Sequence, residues 1–283
     1  MDISIIIPTF NRKSALKKCL NALQRQSIDK NWEVIIVDDG GSVELSELMK
    51  RIDQNLDIKL VRQDNKGPAA ARNYGVRLAK GEYIAFLDDD CEPQEGWLQN
   101  LMINANEGVM TGGKTTNKLH DNPYSETSQL LVSFLYEYFE GKMWYFFTSN
   151  NLLVDKKSFL EIGGFDETFE TAAGEDRELC ARWSLSNYKL QYESRAVIWH
   201  SHLLNFISFW RQHYKYGKAA ILYREKIRKS GMNNTPLEIR FYFRLLGFPF
   251  SRDYRFVQKL KLSILLFLSQ IATLFGAIMS VRK

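Results

Sequence analysis

Short apolar runs and helix-period segments alternate through the first hundred residues, and this alternation constrains the fold more than any other feature. The apolar runs, rich in Ile, Val and aromatic residues, occupy residues 3–7, 34–37, 58–61 and 83–87. The helix-period segments occupy residues 14–26, 43–52 and 68–79. Strand–helix alternation predicts an α/β protein, with a mostly parallel, Rossmann-like sheet that is flanked by helices.

Polar residues follow three of these strands directly, and ligands of such sheets bind at the carboxyl ends of the strands. The three clusters are Pro8, Thr9, Phe10 and Asn11; Asp38 and Asp39; and Asp88, Asp89 and Asp90. In extended backbone Asp88 and Asp90 point the same way, so they are able to hold Mn²⁺ or Mg²⁺. Such cations take one or two carboxylates and complete their shell with phosphates and water. A solvated acidic turn is the alternative.

Three familiar ligand sites are excluded by their sequence context. Residues 108–115 (GVMTGGKT) match a phosphate loop, but loop-like residues follow them where a helix would have to begin. The dinucleotide pattern G-x-G-x-x-G is absent after the first strand. A calcium loop starting at Asp88 fails because Pro93 and Gln99 replace its glycine and glutamate.

The motifs IIIPTFN, VIIVDDGG, GPAAARNYG, YIAFLDDD, GGFDE and GED, spread over residues 3–200, resemble those of the inverting family-2 glycosyltransferases. The resemblance implies the GT-A fold of nucleotide-diphospho-sugar transferases. It also implies a catalytic domain at residues 1–200, with a nucleotide-binding half to about residue 110 and an acceptor half from about residue 111. The implied donor is a nucleotide sugar, with UDP favoured as the nucleotide.

The same resemblance implies roles for individual residues. The nucleotide is assigned to Pro8, Thr9, Phe10, Asn11, Asp38, Asp39, Arg72 and Asp89. The metal is assigned to Asp88, Asp90 and His200, with Asp90 the first choice among the aspartates and His202 an alternative to His200. The acceptor and donor-sugar pocket is assigned to Asn150, Asn151, Gly164, Phe165 and Asp166.

Glu175 and Asp176 stand at the start of a helix-period segment. By resemblance Asp176 is the general base that deprotonates the acceptor hydroxyl, with Glu175 beside it in the catalytic pair. A carboxylate suits this role because an oxocarbenium-like centre develops next to it. The alternative is a pair of acids that stabilise a helix amino end.

The segment 201–283 differs in charge and hydrophobicity from the rest of the chain. It carries 15 Lys and Arg against 3 acids, whereas residues 1–200 carry 23 against 30. Residues 262–279 lack any charge, so we predict a helical region with an interfacial or re-entrant helix, a membrane span, or a helix packed on a partner. The apolar residues of this segment argue against nucleic acid as its binding partner. Arg211 and His213 are candidates for contacting the diphosphate.

The sequence as a whole predicts a metal-dependent, inverting hexosyltransferase at the cytoplasmic face of the cell membrane. Three scattered cysteines favour a reducing compartment, and the amino terminus lacks signal-peptide features. The tail predicts a lipid-linked glycan or glycolipid acceptor in polysaccharide biosynthesis, and absence of Q-x-x-R-W favours transfer of few sugars. The alternatives are a metal-dependent nucleotidyl- or sugar-phosphate transferase and a non-catalytic membrane scaffold. Homo-oligomerisation is left open.

Overall fold

The computed structural model describes residues 1–50, 52, 56–142, 145–169, 173–229 and 238–281. Two compact units divide the chain. Unit 1 comprises residues 1–116 and 146–201, and unit 2 comprises residues 117–145 and 202–283. The segment 117–145 therefore groups with the carboxyl-terminal region, whereas the sequence boundary at residue 200 assigned it to the catalytic domain.

The strands are β1 (Ile3–Thr9), β2 (Trp32–Asp38), β3 (Ile58–Arg62), β4 (Tyr83–Leu87), β5 (Cys91–Pro93), β6 (Val109–Asn117), β7 (Asn151–Asp155) and β8 (Lys189–His200). They form one sheet in the order β3-β2-β1-β4-β7-β6-β8-β5. β3, β2, β1 and β4 are parallel to one another, as the alternation predicts. The α/β class and all four predicted strands are thus confirmed.

The other half of the sheet is not parallel. β7 runs antiparallel to both β4 and β6, and β5 runs antiparallel to β8. The sheet is therefore mixed, and its predicted mostly parallel character holds for one half only. Phe146 and Phe147 precede β7 and bury their rings without joining the sheet.

The helices are α1 (Lys13–Leu23), α2 (Ser46–Met49), α3 (Pro68–Leu78), α4 (Trp97–Met102), α5 (Pro123–Phe139), α6 (Lys156–Glu161), α7 (Glu175–Leu185), α8 (Phe206–Lys229), α9 (Ile239–Gly247) and α10 (Phe256–Val281). α2 is shorter than the predicted 43–52. The backbone N–H groups of Ser42 and Val43 donate to Asn11 Oδ1, which holds this segment outside a helix. α3 begins where Gly67, at φ 88°, turns the chain and Pro68 fixes the first helical φ.

The phosphate-loop-like residues 108–115 run into β6, which confirms that they do not form a phosphate loop. Their glycines serve close packing instead. A Cβ at Gly112 would lie 2.1 Å from the Phe147 ring, and one at Gly113 would lie 2.4 Å from the Ala196 carbonyl oxygen.

Unit 2 is helical. α10 packs along α8 with two glycines at the crossing, where a Cβ on Gly217 would lie 1.9 Å from the Thr273 carbonyl oxygen. Phe134 of α5 packs edge-on against Phe241 of α9 and Phe248 of the following 3-10 helix, Phe248–Ser251. This aromatic packing explains why α5 joins unit 2. Among the described residues, α10 is the one helix long and apolar enough to cross a membrane.

Candidate active site

The polar residues that follow β1, β2 and β4 meet at one edge of the sheet. Thr9 Oγ1 donates to Asp89 Oδ2 at 2.6 Å, and the Asp39 backbone N–H donates to the Thr9 carbonyl oxygen at 2.9 Å. Parallel registration of Thr9 with Asp38 brings the first two clusters together. The structure therefore assembles the three sequence clusters that the strand-end rule singles out.

Asp38 and Asp39 organise the loops around this edge. Asp39 accepts from the backbone N–H groups of Lys66 and Gly67, both at 2.9 Å, and from Gln63 Nε2 at 2.8 Å. Asp38 Oδ1 accepts from the Gly41 N–H at 2.9 Å. Both carboxylates are buried, so much of their hydrogen-bonding capacity is used to fix backbone.

The first cluster supplies less buried groups. Asn11 is exposed at φ 58°, a left-handed conformation that asparagine tolerates, and Phe10 is 46% exposed. Pro8 is half-buried, whereas Thr9 is buried. The surface beside Thr9 therefore offers an exposed aromatic ring for a ligand.

The three consecutive aspartates have three different environments. Asp88 accepts from Arg72 Nη2 at 2.7 Å. Asp89 is buried against Thr9, and burial raises its pKa to about 7 although the neighbouring Arg12 guanidinium opposes the rise. Asp90 is half-buried, and its Oδ1 lies 3.3 Å from His200 Nε2.

Antiparallel pairing of β5 with β8 explains the meeting of Asp90 and His200. Cys91 is registered with His200, and the Ser201 N–H donates to the Asp90 carbonyl oxygen at 2.9 Å. Burial lowers the pKa of His200, but the carboxylate of Asp90 outweighs burial and the net shift is upward. His200 is thus the histidine that β8 brings to the aspartate run.

These residues fit a hard divalent cation. One ligand atom each of Asp90, Cys91 and His200 lies within 4.8 Å of the others. Oxygen and imidazole donors suit Mn²⁺, whereas a thiol is a soft ligand. Cys91 is therefore the poorest ligand of the three for such a cation, and without a cation burial raises the pKa of its thiol well above the ordinary value.

A buried charge network connects the aspartate run to the start of α7. Arg72, 2% exposed, places Nη1 3.5 Å from Glu175 Oε1 while Nη2 holds Asp88. Burial disfavours the Arg72 charge, but the surrounding carboxylates raise its pKa overall. Burial and the charge of Asp176 raise the pKa of Glu175 to about 8, against the opposing effect of Arg72.

Asp176 has the most distinctive environment in this network. It follows Gly174, at φ 89°, and Ser149 hydrogen-bonds to its carboxylate. Its Oδ1 is buried and has no hydrogen-bond partner among the described residues. Burial raises its pKa, although Arg72 opposes the rise. A buried carboxylate oxygen without a donor suits a hydroxyl that arrives with a substrate.

The predicted pocket residues fall into two groups. Asn151 is committed to structure, because it accepts from Trp97 Nε1 at 2.8 Å and donates to the carbonyl oxygens of Lys114 and Ala196. Asn150 is buried and accepts from the hydroxyls of Thr115 and Thr148. Both amide oxygens therefore already accept hydrogen bonds from other side chains of the protein.

The GGFDE segment supports the charge network. Phe165 is buried, and the Arg72 guanidinium carbon lies 5.5 Å from the centre of its ring. Gly164 takes φ 70°, where a Cβ would lie 2.7 Å from Asn73 Oδ1. Asp166 Oδ1 accepts from the N–H and hydroxyl of Thr168. This segment therefore holds Arg72 in place through Phe165.

The two candidates in unit 2 differ from each other. Arg211 is exposed on α8. His213 is fully buried against Phe209 and Ser128, and burial lowers its pKa to about 3. A buried neutral imidazole is unsuited to holding a diphosphate, so His213 has no place in the function proposed below.

Three site residues were missed in the sequence. Arg12 contacts Asp89 and Asp90, Asn73 exchanges hydrogen bonds with the backbone of Phe165, and Ser149 contacts Asp176. Arg12 was detectable, because it is a cation directly after the polar cluster that follows β1. Asn73 lies in the GPAAARNYG motif, whereas Ser149 carries no local signal and is brought to the site by tertiary packing.

Comparison with known proteins gives consistent family matches. The model of "Glycosyl transferase family 2" matches residues 4–163, more than half of the chain, and that of "Glycosyltransferase like family 2" matches residues 112–229. A chondroitin synthase from Pasteurella multocida is 30% identical over 215 residues, which cover 63% of this chain and 22% of that protein. A GalNAc(5)-diNAcBac-PP-undecaprenol beta-1,3-glucosyltransferase from Campylobacter jejuni is 33% identical over 180 residues, covering 59% and 55%. The chain thus spans between about a fifth and just over half of these relatives.

Solved structures share the fold. The mannosyltransferase PcManGT from Pyrobaculum calidifontis, in complex with GDP-Man and Mn²⁺, has a TM-score of 0.65 and 15% identity, covering 96% of this chain and 87% of its own. TarS 1–349 from S. aureus has a TM-score of 0.55 and 17% identity, covering 100% and 90%. The predicted GT-A fold is confirmed, and the chain belongs to glycosyl transferase family 2.

Proposed function

We propose that this protein is an inverting glycosyltransferase that moves a sugar from a nucleotide-diphosphate sugar to an acceptor hydroxyl. One observation carries the proposal. The edge of the sheet combines a candidate cation site, Asp90 with His200, and a buried carboxylate oxygen of Asp176 that has no donor among the residues that the structure describes. A cation would stabilise the charge on a leaving diphosphate, and the carboxylate oxygen would accept the proton of an attacking hydroxyl.

The residues divide the work as follows. Thr9, Asp39 and Asp89 bind the nucleoside, and Asp90 and His200 hold Mn²⁺ or Mg²⁺. When bound, the cation stabilises the negative charge that develops on the leaving diphosphate. Asp176 Oδ1 accepts the proton of the acceptor hydroxyl.

Arg72 has a positioning role in this proposal. It is buried between Asp88 and Glu175 and lies over the Phe165 ring, so its charge is fixed in orientation. A fixed cation there keeps Asp88 and Glu175 oriented around the proposed base without touching the reacting atoms. Preorganised charge of this kind needs no rearrangement when the reaction begins.

A UDP-sugar is the favoured donor. Two solved relatives in fold support a nucleotide-sugar donor, because PcManGT is solved with GDP-Man and Mn²⁺ and TarS 1–349 with UDP-GlcNAc. A lipid-linked glycan or glycolipid is the proposed acceptor. The Campylobacter relative, whose printed name includes undecaprenol, supports an acceptor of this class.

Unit 2 supports a place at the cytoplasmic face of the membrane. α9 and the start of α10 leave Ile239, Phe243, Phe256 and Val257 between 67% and 75% exposed. Exposed cations lie among these apolar residues, at Arg240, Arg244 and Arg255. Apolar side chains interleaved with cations are typical of a helix lying in the interface of an anionic bilayer.

The packing of unit 2 favours an interfacial α10 over a spanning one. α10 buries one stripe, which includes Leu266, Ser269 and Gly276, and packs along α8. α8 carries the exposed cations Lys215 and Lys218 opposite the glycine crossing region. If α10 crossed the bilayer with α8 alongside, these cations would enter the hydrocarbon core, which is costly.

A thermal-unfolding screen tests the catalytic proposal. Wild type and Asp90→Asn are heated with a panel of nucleotide sugars, with Mn²⁺ or with EDTA. Because a ligand of the folded state raises the melting temperature, we expect Mn²⁺-dependent stabilisation of wild type by a UDP-sugar and none of Asp90→Asn. Equal stabilisation of both proteins, or of neither, would contradict the metal–diphosphate site. Asp64→Asn, in the loop after β3, is the matched control.

A further inference from the structure

Arg12 occupies the cation position of the aspartate run. It lies at the start of α1, and its Nη1 is 2.9 Å from Asp90 Oδ2 and 3.2 Å from Asp89 Oδ1. The other oxygen of Asp90 faces His200. Both oxygens of the proposed metal ligand are therefore already engaged by groups of the chain itself.

Arg12 and Arg72 both pair with carboxylates of the aspartate run, but their side chains differ in exposure. The Arg72 side chain is 3% exposed and is fixed by two carboxylates and an aromatic ring. The Arg12 side chain is 52% exposed, whereas its partners Asp89 and Asp90 are 4% and 10% exposed. A half-exposed arginine changes rotamer at small cost, so Arg12 is the cation that is able to leave.

A divalent cation at Asp90 competes with this guanidinium. Both need Asp90 Oδ2, and two cations a few ångströms apart repel each other. The displaced guanidinium remains tethered beside the cation site. Its planar fork of N–H donors matches the oxygens of a phosphate, which is the group that a nucleotide donor brings to that place.

We propose that Arg12 neutralises Asp89 and Asp90 while no cation is bound, and contacts the donor diphosphate once the cation and nucleotide enter. The inference rests on the proposed metal–diphosphate site. Arg12 then weakens the binding of the cation alone and strengthens the binding of nucleotide with the cation. The two ligands consequently bind cooperatively, which limits cation binding without donor.

Calorimetric titration with Mn²⁺ alone, and with UDP at saturating Mn²⁺, tests this role. We expect Arg12→Gln to bind Mn²⁺ alone about fivefold more tightly, and UDP in the presence of Mn²⁺ about fivefold more weakly. Arg12→Lys keeps the charge but not the fork, so we expect both changes to be smaller. Lys13→Gln removes a neighbouring exposed charge whose Nζ contacts only the Glu44 carbonyl oxygen among its described partners, and is the matched control with changes below about twofold.

The outcomes separate this inference from the proposed function. If Mn²⁺ and UDP bind wild type and both weaken in Arg12→Gln, Arg12 only stabilises the site and the inference is wrong. If Lys13→Gln reproduces the Arg12→Gln changes, net charge explains them and the inference is also wrong. If neither ligand binds wild type or variant, the metal–diphosphate site itself is wrong and the inference falls with it.

Discussion

The surfaces of the two units differ in the number of large apolar side chains that they expose. Among the described residues of unit 1, five such side chains are exposed, and they lie singly along the chain: Met1, Phe10, Ile103, Leu160 and Leu185. The described part of unit 2 exposes seventeen, most of them on α9 and α10. Scattered apolar residues are normal on a water-exposed surface, whereas a concentrated set marks an interaction surface. The described surface of unit 1 is therefore typical of one that faces water, whereas that of unit 2 has the apolar concentration on which the proposed membrane attachment rests.

The buried polar groups differ in the same direction. Unit 1 holds a network of paired charges at one edge of the sheet, where the buried Arg72 links Asp88 to Glu175. Unit 2 buries His213 with its Nδ1 unpartnered among the described residues. Paired buried charges are retained where they perform chemistry, and an unpaired neutral group costs stability. This difference is consistent with the proposal that unit 1 carries the chemistry and unit 2 the membrane attachment.

The largest expected effect is the loss of the proposed base. Asp176→Asn keeps the shape of the side chain but removes its proton-accepting charge, so we expect kcat to fall about 10²- to 10⁴-fold. Donor binding, measured by UDP titration, stays within about twofold if Asp176 acts only on the acceptor. Asp29→Asn, at an exposed site before β2, is the matched control. A variant with wild-type kcat would move the chemistry away from this edge.

The glycine crossing of unit 2 is expected to be the next most sensitive feature. A Cβ at Gly217 or Gly276 would lie about 2 Å from a carbonyl oxygen of the facing helix, so we expect either alanine variant to lower the free energy of unfolding by about 2–3 kcal/mol. Helix propensity alone predicts the reverse, because alanine is favoured by about 1 kcal/mol. Urea unfolding distinguishes the two. Gly247→Ala, where a Cβ has no neighbour within 4 Å, is the control without loss.

Membrane attachment is expected to respond to a charge on the exposed face of α9. Phe243 is 71% exposed, and Phe243→Glu replaces its ring with an acid that anionic headgroups repel. We expect about tenfold weaker binding to vesicles of phosphatidylcholine with 30% phosphatidylserine (roughly the anionic content that attracts basic interfaces). Ile103→Glu makes the same change at a 50% exposed site of unit 1 and leaves binding unaltered. If both variants lost vesicle binding equally, the membrane-binding surface could not be assigned to unit 2.

The smallest effect concerns pH. His213 has a folded-state pKa of about 3, below its unfolded value, so it binds a proton in the unfolded state first. Above about pH 6.5 the imidazole is neutral in both the folded and the unfolded state, so it adds no pH dependence. As the pH falls from there toward 3, only the unfolded state binds the proton, and the free energy of unfolding decreases. We expect His213→Gln to reduce this loss by about 1 kcal/mol per pH unit between pH 6 and 5, measured by urea unfolding. His120→Gln, at an exposed site, is expected to keep the wild-type pH dependence.

Sequence periodicity predicted those elements whose structure depends on the local sequence. The four parallel strands were predicted from apolar runs, and the ends of those strands located Thr9, Asp39 and the aspartate run. β5, β6, α4 and α6 were missed because they are short or glycine-rich and show no clear periodicity. Asp90 and His200 were assigned to one metal by family resemblance alone, because their meeting depends on antiparallel pairing between residues more than a hundred positions apart. Arg12 lies one residue beyond the PTFN motif, so the strand-end rule reaches it only when it is extended past that motif.

Product analysis tests the central claim most directly, namely that the sheet edge of unit 1 transfers a sugar with release of a nucleoside diphosphate. The protein is incubated with the nucleotide sugar that stabilises it, Mn²⁺ and membrane lipid extract, and phosphorus NMR follows the nucleotide. We predict UDP as the released nucleotide, with none formed by Asp90→Asn. Release of pyrophosphate or UMP would instead indicate a nucleotidyl- or sugar-phosphate transferase, and would contradict the account.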